Sequence, residues 1–267
     1  MQRTPAWFKA RQGKLTASNF GAAAGVNPYE TRNANLKKQA GQTVFTGNSA
    51  TRHGTKNEPN AIKDYQMYTG NVVRSFGFKV HEDYPWLGGS PDGLVGTEGM
   101  IEVKCPFYKM VPHEKIPPHY YCQVNGLLEI FDRKWCDFVS WTPDDMQIYR
   151  VYRDPHVWDH LLSKYTTFYA AMKRGCTQVP RQQTGEKQET FDAISASDEN
   201  TNYTFWSKVR GKTEWEMPFE CPFRDESSDG EDQDDGAMFN CAAASSKRQR
   251  FDTGSDSSTS SESASVV

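Results

Sequence analysis

Two carboxylates and one amine fall close together near the middle of this 267-residue chain. Pro91-Asp92-Gly93 reads as a tight turn, and Glu102-Val103-Lys104 follows after eight further residues. Side chains alternate faces in extended backbone, so Glu102 and Lys104 project from one side while Ile101, Val103 and Cys105 turn into a core. A hairpin of this length returns the chain so that Asp92 lies beside Glu102. Two carboxylates in one small volume repel, and one pKa rises unless a cation sits between them. Oxygen ligands select a hard divalent ion, Mg2+ or Mn2+. Such an ion binds a phosphate oxygen and a water together, lowers the pKa of the water and spreads the charge developing at phosphorus. Lys104 would orient or deprotonate that water, because a partly desolvated lysine loses its proton more readily. The chemistry these residues suit is phosphodiester hydrolysis. The bland alternative is an edge hairpin with solvated charges.

The elements that must position these groups read as one α/β (α+β) domain over residues 1–180, a mixed sheet flanked by helices. Ser18 is placed to cap a short helix over Asn19–Ala24. Glu58–Tyr68 reads as a helix with Ala61, Ile62 and Tyr65 on one side and Gly70 as its stop. Extended runs follow at Phe78–Val80, Leu87–Ser90, Leu94–Val95 and Met100–Cys105. A helix over His119–Ile130, strands at Trp135–Trp141 and Gln147–Arg153, and an amphipathic helix over Pro155–Arg174 with Gly175 as its cap complete the pattern.

Composition narrows the class. Thirty-six per cent hydrophobic and 24% charged residues, with a mean hydropathy of −0.77, suit a soluble globular protein. No run of 18 apolar residues exists to span a membrane. The six cysteines include no C-x-x-C pair, so no zinc knuckle is indicated. With no apolar signal in MQRTPAWFKARQGK, reduced thiols in an intracellular protein are expected. Residues 225–267 carry ten acids against three bases, a net −7, while the other 224 residues carry 28 bases against 24 acids, a net +4. A mildly basic body with an acidic tail is compatible with a polyanionic partner. The Ser-rich acidic segment 225–267 has too little apolar surface to fold and reads as disordered. Within it Lys247-Arg248-Gln249-Arg250 reads either as a nuclear-import signal, in a eukaryotic cell or a virus infecting one, or as a chance basic cluster.

The pattern P-D-x(9)-E-V-K is the signature of the PD-(D/E)xK nucleases, and its surroundings are more specific. Trp7…Arg11-x-Gly13-x-x-Thr16-Ala17-Ser18, Gly54-x-x-x-Glu58-Pro59-x-Ala61, Pro85-Trp86-Leu87-Gly88-Gly89-Ser90-Pro91-Asp92-Gly93, Ile101-Glu102-Val103-Lys104-Cys105-Pro106 and Tyr120-x-x-Gln123-Val124 occur in this order. Over residues 5–175 the series resembles the lambda-exonuclease family, the YqaJ-like viral recombinases. The resemblance implies a restriction-endonuclease-like core and a Mg2+-dependent deoxyribonuclease, with Mn2+ as a substitute. The implied enzyme digests duplex DNA from 5′-phosphorylated ends and leaves 3′ overhangs for recombination or repair. It also implies a single-strand-annealing protein as partner and, in some members, a homo-oligomer.

By resemblance, Asp92, Glu102 and the Val103 carbonyl hold metal, and Lys104 is the catalytic lysine. Glu58 approaches a second metal, and Gln123 helps position the water. Arg11, Ser18 and Ser90 match a pocket for the terminal 5′ phosphate, which suits arginine's bidentate grip on phosphate and the anion preference of a helix opening at Ser18. Each residue has a plainer reading: a first-turn glutamate at Glu58, a packed polar at Gln123, a surface ion pair at Arg11, a cap at Ser18 and a turn at Ser90. The family's second glutamine is Asn125 here. Tyr120 reads as packing, and His113 and His119 as surface or DNA-facing groups. An endonuclease or structure-specific nuclease on the same core is the rival enzyme; an inactive DNA-end-binding scaffold is the rival outside enzymes. Residues 188–219 resemble a WW domain, with Phe191 in place of its first tryptophan and Phe205, Trp215 and Pro218 in later positions. Thr204 and Ser207 replace its tyrosine and asparagine, which makes a proline-rich ligand doubtful.

Overall fold

The computed structural model describes residues 2–42, 47–108, 110–182 and 185–199. In chain order they form α1 (Pro5–Arg11), β1 (Leu15–Thr16), a 3-10 turn at Ala17–Asn19, α2 (Phe20–Ala24), α3 (Arg32–Gln39), α4 (Ser49–Thr69), β2 (Val73–Arg74), β3 (Lys79–Val80), β4 (Leu87–Gly89), β5 (Gly93–Val95), β6 (Gly99–Lys104), α5 (Pro118–Phe131), β7 (Trp135–Trp141), β8 (Met146–Tyr152), α6 (Pro155–Lys173) and α7 (Glu186–Glu199). The main sheet has the order β2-β5-β6-β7-β8, with β6 and β7 parallel and the other pairs antiparallel. A smaller sheet, β1-β4-β3, pairs β1 parallel to β4.

Strand β6 is central, and both of its faces are covered. Met100 enters one apolar cluster with α2, α5 and α6; Ile101 and Val103 enter another with Ala61, Tyr65 and Tyr68 of α4. The sheet is thus sandwiched between α4 and the α2, α5 and α6 group, the expected α/β layering. Glu102 and Lys104 share the Met100 face, under α5. Helices α2 and α5 approach closely because Gly21 and Gly126 lie at their crossing. A Cβ on Gly126 would sit 2.2 Å from the Phe20 ring, and one on Gly21 would meet the His119 backbone at 2.7 Å.

Three sequence expectations change. First, α4 begins at Ser49, well before Glu58. Asn48 caps it by accepting from the Thr51 N–H, and Gly70 ends it at φ 75° as expected. Glu58-Pro59 imitates a helix start because proline suits a first turn, yet here Pro59 lies inside the helix. Glu58 is therefore a mid-helix residue, which removes the dipole reading. Second, Ser18 lies inside the 3-10 turn, and Asn19 takes the cap position of the five-residue α2 without a side-chain bond. No anion-binding helix terminus opens there. Third, the first part of the WW-like stretch is helix α7. Ile194 and Ser197 are buried along it, and Phe191 packs on the main cluster, so their spacing is helical. Residues 200–219, the acidic tail and the basic cluster at 247–250 lie outside the described residues. Among the described residues no helix is long and apolar enough to cross a membrane.

A buried polar knot fixes α4 on the sheet. Asp137 of β7 accepts from Tyr65 Oη at 2.7 Å, from Arg150 Nε at 2.8 Å and from Arg150 Nη2 at 3.0 Å. Asn71 donates to Tyr65 Oη at 3.1 Å, and the Trp141 indole donates to Asp64 at 2.7 Å. Removing one partner of a buried pair leaves an uncompensated charge. Arg150→Met is expected to cost about 3–5 kcal/mol, read as a lowered urea midpoint at constant slope.

Candidate active site

The β5–β6 register creates the site. Gly93 lies opposite Ile101, so Asp92 reaches the level of Glu102. The Asp92 N–H donates to the Ile101 carbonyl at 3.2 Å, and the Val103 N–H donates to Asp92 Oδ2 at 2.7 Å. Glu102 Oε1 accepts from Lys104 Nζ at 2.5 Å and from Gln123 Nε2 at 2.7 Å, while Gln123 Oε1 accepts from Lys104 Nζ at 3.3 Å. Tyr120 stacks under Lys104, with Nζ 4.8 Å from the ring centre. Asp92, Glu102, Val103 and Lys104 line a cleft of about 1000 Å³ together with Glu58.

The electrostatics follow from burial. Desolvation, followed by Glu102, pushes the Asp92 carboxyl well above its ordinary range, and burial likewise raises Glu102. Burial alone would lower the Lys104 pKa, but Glu102, Tyr120 and Asp92 outweigh it and raise the pKa. The acids around Lys104 thus oppose the expected easing of proton loss by desolvation and favour the ammonium in the metal-free site. Glu102 Oε2 is buried without any hydrogen-bond partner. A buried carboxylate oxygen left bare beside a second carboxylate is a demand for a cation. The all-oxygen donors suit a hard divalent ion. Asp92 and Glu102 with the Val103 carbonyl are the residues that would hold it. Glu58 faces the same cleft, but its Oε2 pairs with Arg3 Nη2 at 2.9 Å. Among the described residues no three His, Cys, Asp or Glu side chains converge as a ready metal cage.

Arg11 and Ser90 both contact Trp7, and Ser18 contacts Arg11. The Arg11 guanidinium lies 4.1 Å from the centre of the Trp7 ring, and its Nη2 donates to Thr16 Oγ1 at 3.2 Å and to Ser18 Oγ at 3.4 Å. Trp7 Nε1 donates to Ser90 Oγ at 2.8 Å. Arg11 has no carboxylate partner among the described residues, and burial lowers its pKa to about 10. A half-buried guanidinium with hydroxyls in place of an acid is suited to an incoming anion. Asn125 donates to the Asp154 carbonyl at 3.4 Å, away from the cleft. His113 and His119 are half-buried beside Tyr120, with His113 lining the cleft, and burial takes the His119 pKa down to about 4. Sequence reasoning missed Arg3 altogether, since nothing in its neighbourhood marks it. It gave Tyr120 no chemical contact, although the ring now proves to lie against the lysine.

Residues 6–133 match the YqaJ-like viral recombinase domain. An uncharacterized protein of Acanthamoeba polyphaga mimivirus is 25% identical over 162 residues, 54% of this chain but only 30% of that protein. Among solved structures, an alkaline exonuclease from Laribacter hongkongensis is 28% identical, with a TM-score of 0.57 over 72% of this chain and 100% of that one. The crystal structure of that enzyme in complex with dAMP aligns at a TM-score of 0.58 over the same shares. The mixed sheet with helices on both faces is therefore the nuclease fold of that alkaline exonuclease.

The raised Asp92 pKa has a measurable consequence. The unfolded chain gives up this proton first, so the folded state loses stability as pH rises above about 4. Asp92→Asn keeps an acceptor for the Val103 N–H and removes the charge. In the absence of metal it is expected to be more stable than wild type at neutral pH, because it removes the buried charge. Thermal melts across pH check this: the gap should vanish below about pH 4.

Proposed function

We propose that this protein is a metal-dependent deoxyribonuclease, a phosphodiester hydrolase that digests duplex DNA 5′ to 3′ from phosphorylated ends. The observation that carries this reading is the bare Glu102 oxygen beside Asp92, with a protonated Lys104 pinned at 2.5 Å on the other oxygen. Asp92, Glu102 and the Val103 carbonyl would hold Mg2+, or Mn2+ in its place, and Glu58 faces a second position. When bound, the ion polarises the phosphate and activates a water.

The chain's own groups do the rest. Gln123 fixes the Glu102 rotamer through Nε2 and braces Lys104 through Oε1. Lys104, as an ammonium, donates to the water and to the charge that builds on the phosphate oxygens. Water forms the new bond to phosphorus, the bond to the 3′ oxygen breaks, and the proton leaves on the released 3′ hydroxyl. The shortened strand then carries a fresh 5′ phosphate for the Arg11 pocket, and 3′ single-stranded overhangs accumulate. The similar alkaline exonuclease has a crystal structure in complex with dAMP, a deoxynucleoside monophosphate, which is the product class of this reaction. An overhang producer would serve recombination beside a single-strand-annealing protein, and a ring of identical subunits would keep the duplex captive.

Two measurements decide between this reading and its rivals. Lys104→Ala is expected to lower the metal-dependent digestion of linear duplex by about 10²–10⁴-fold; equal activity would exclude this mechanism, and no digestion by wild type would point to a scaffold. Wild type should prefer 5′-phosphorylated over 5′-hydroxyl ends, and Arg11→Ala should lose about 10–100-fold on phosphorylated ends alone, the worth of a charged hydrogen bond. Cutting of closed circular DNA at the same rate would instead favour an endonuclease.

A further inference from the structure

The first described residues form a strap across the site. Gln2 Nε2 donates to the carbonyl of Pro91, the residue before Asp92, at 2.7 Å. Arg3 reaches across to Glu58 on α4 at 2.9 Å. The strap ends where Thr4 caps α1 by accepting from the Trp7 N–H. One short segment therefore touches the turn that carries one acid and the helix that carries another. Arg3 holds a left-handed φ of 62°, which a residue with a Cβ adopts at a cost. The strap is thus kept in place by its contacts and not by backbone preference.

Glu58 lies near enough to Asp92 and Glu102 to raise both of their pKa values, yet its own charge is answered by arginine. The pair is weak by nature, because the side chains are 51% and 24% exposed and exposed pairs contribute little. A divalent ion carries twice the charge of a guanidinium and would answer Glu58 more strongly. We infer that Arg3 is a resident counter-ion of Glu58 that a divalent cation must displace, so that loading the metal position on the Glu58 side lifts the N-terminal strap from the cleft. This inference rests on the metal-holding part of the proposed function. It makes Arg3 a positioning residue: it keeps Glu58 facing the cleft without a metal and leaves when the metal arrives.

The test uses the full chain, Mn2+ and no DNA. Calorimetric titration should show Arg3→Gln binding Mn2+ about two- to fivefold more tightly than wild type, the worth of an exposed ion pair. Arg3→Lys should retain wild-type affinity. In a Glu58→Gln background the Arg3→Gln substitution should have no effect. Hydrogen exchange supplies the second readout: Mn2+ should speed exchange at residues 2–8 in wild type, whereas Arg3→Gln should exchange fast there without metal. Equal or weaker Mn2+ binding by Arg3→Gln, or N-terminal exchange indifferent to Mn2+, overturns the inference. Neither readout involves turnover, so a protein that bound Mn2+ as expected but cut no DNA would defeat the proposed function and leave this inference standing.

Discussion

Everything in this molecule is organised around two carboxylates that the β5–β6 register forces together in a buried place. Left to themselves, Asp92 and Glu102 would separate or take up protons, and both are held above their ordinary pKa range. Neither can leave, because Asp92 is tied to the Val103 N–H and Glu102 stands on a strand buried on both faces. Lys104 and Gln123 satisfy one Glu102 oxygen and leave the other bare. The repulsion is therefore only half relieved by the protein. That unrelieved half is the site's affinity for a cation, carried as a stability cost in the folded chain.

The surroundings hold the strained pair in place. Helix α4 brings Glu58 toward it, and α4 is registered on the sheet by the Asp137, Arg150 and Tyr65 knot and by Trp141 on Asp64. Helix α5 brings Gln123 and Tyr120 from the opposite face. Its close crossing with α2 through Gly21 and Gly126 also ties it to the segment that bears Ser18. The two candidate sites, for the cation and for an anion near Arg11, are connected by the chain from Ser90 to Asp92.

Much of this was legible in the sequence, for a definite reason. Strand alternation and the Pro91-Asp92-Gly93 turn fix which side chains meet in a hairpin, so the Asp92, Glu102 and Lys104 convergence needed only local rules. Strand β7 and helix α6 were legible because their apolar periodicity is long and regular. Helix α4 was cut short because its first turns, Ser49 to Asn57, carry almost no apolar residues while Pro59 imitates a start. Phe191 lies on a helix where the WW-like reading places a strand, because an aromatic at a plausible spacing looks the same in sequence whether it faces a small sheet or packs along a helix. The protonation of Lys104 could not be read at all: it depends on a 2.5 Å approach to Glu102 outweighing desolvation, and that balance exists only in the folded geometry.

Chemistry and stability are divided between the two parts of the described chain. Apart from Arg3, every residue assigned to the site lies at or before Gln123, inside the matched 6–133 segment. The knot that fixes α4 and much of the main cluster come from later: Phe138, Tyr149, Val151, Leu161, Tyr165, Phe168 and Ile194. Strand β7 supplies the parallel partner that buries β6, and β8 supplies the arginine that neutralises Asp137. Without them β6 would be an edge strand in water, its carboxylates would be solvated, and their pKa values would relax toward ordinary ones. The later elements touch no reacting atom in this reading. Their contribution to function is the low-dielectric wall that makes the two acids need a cation at all.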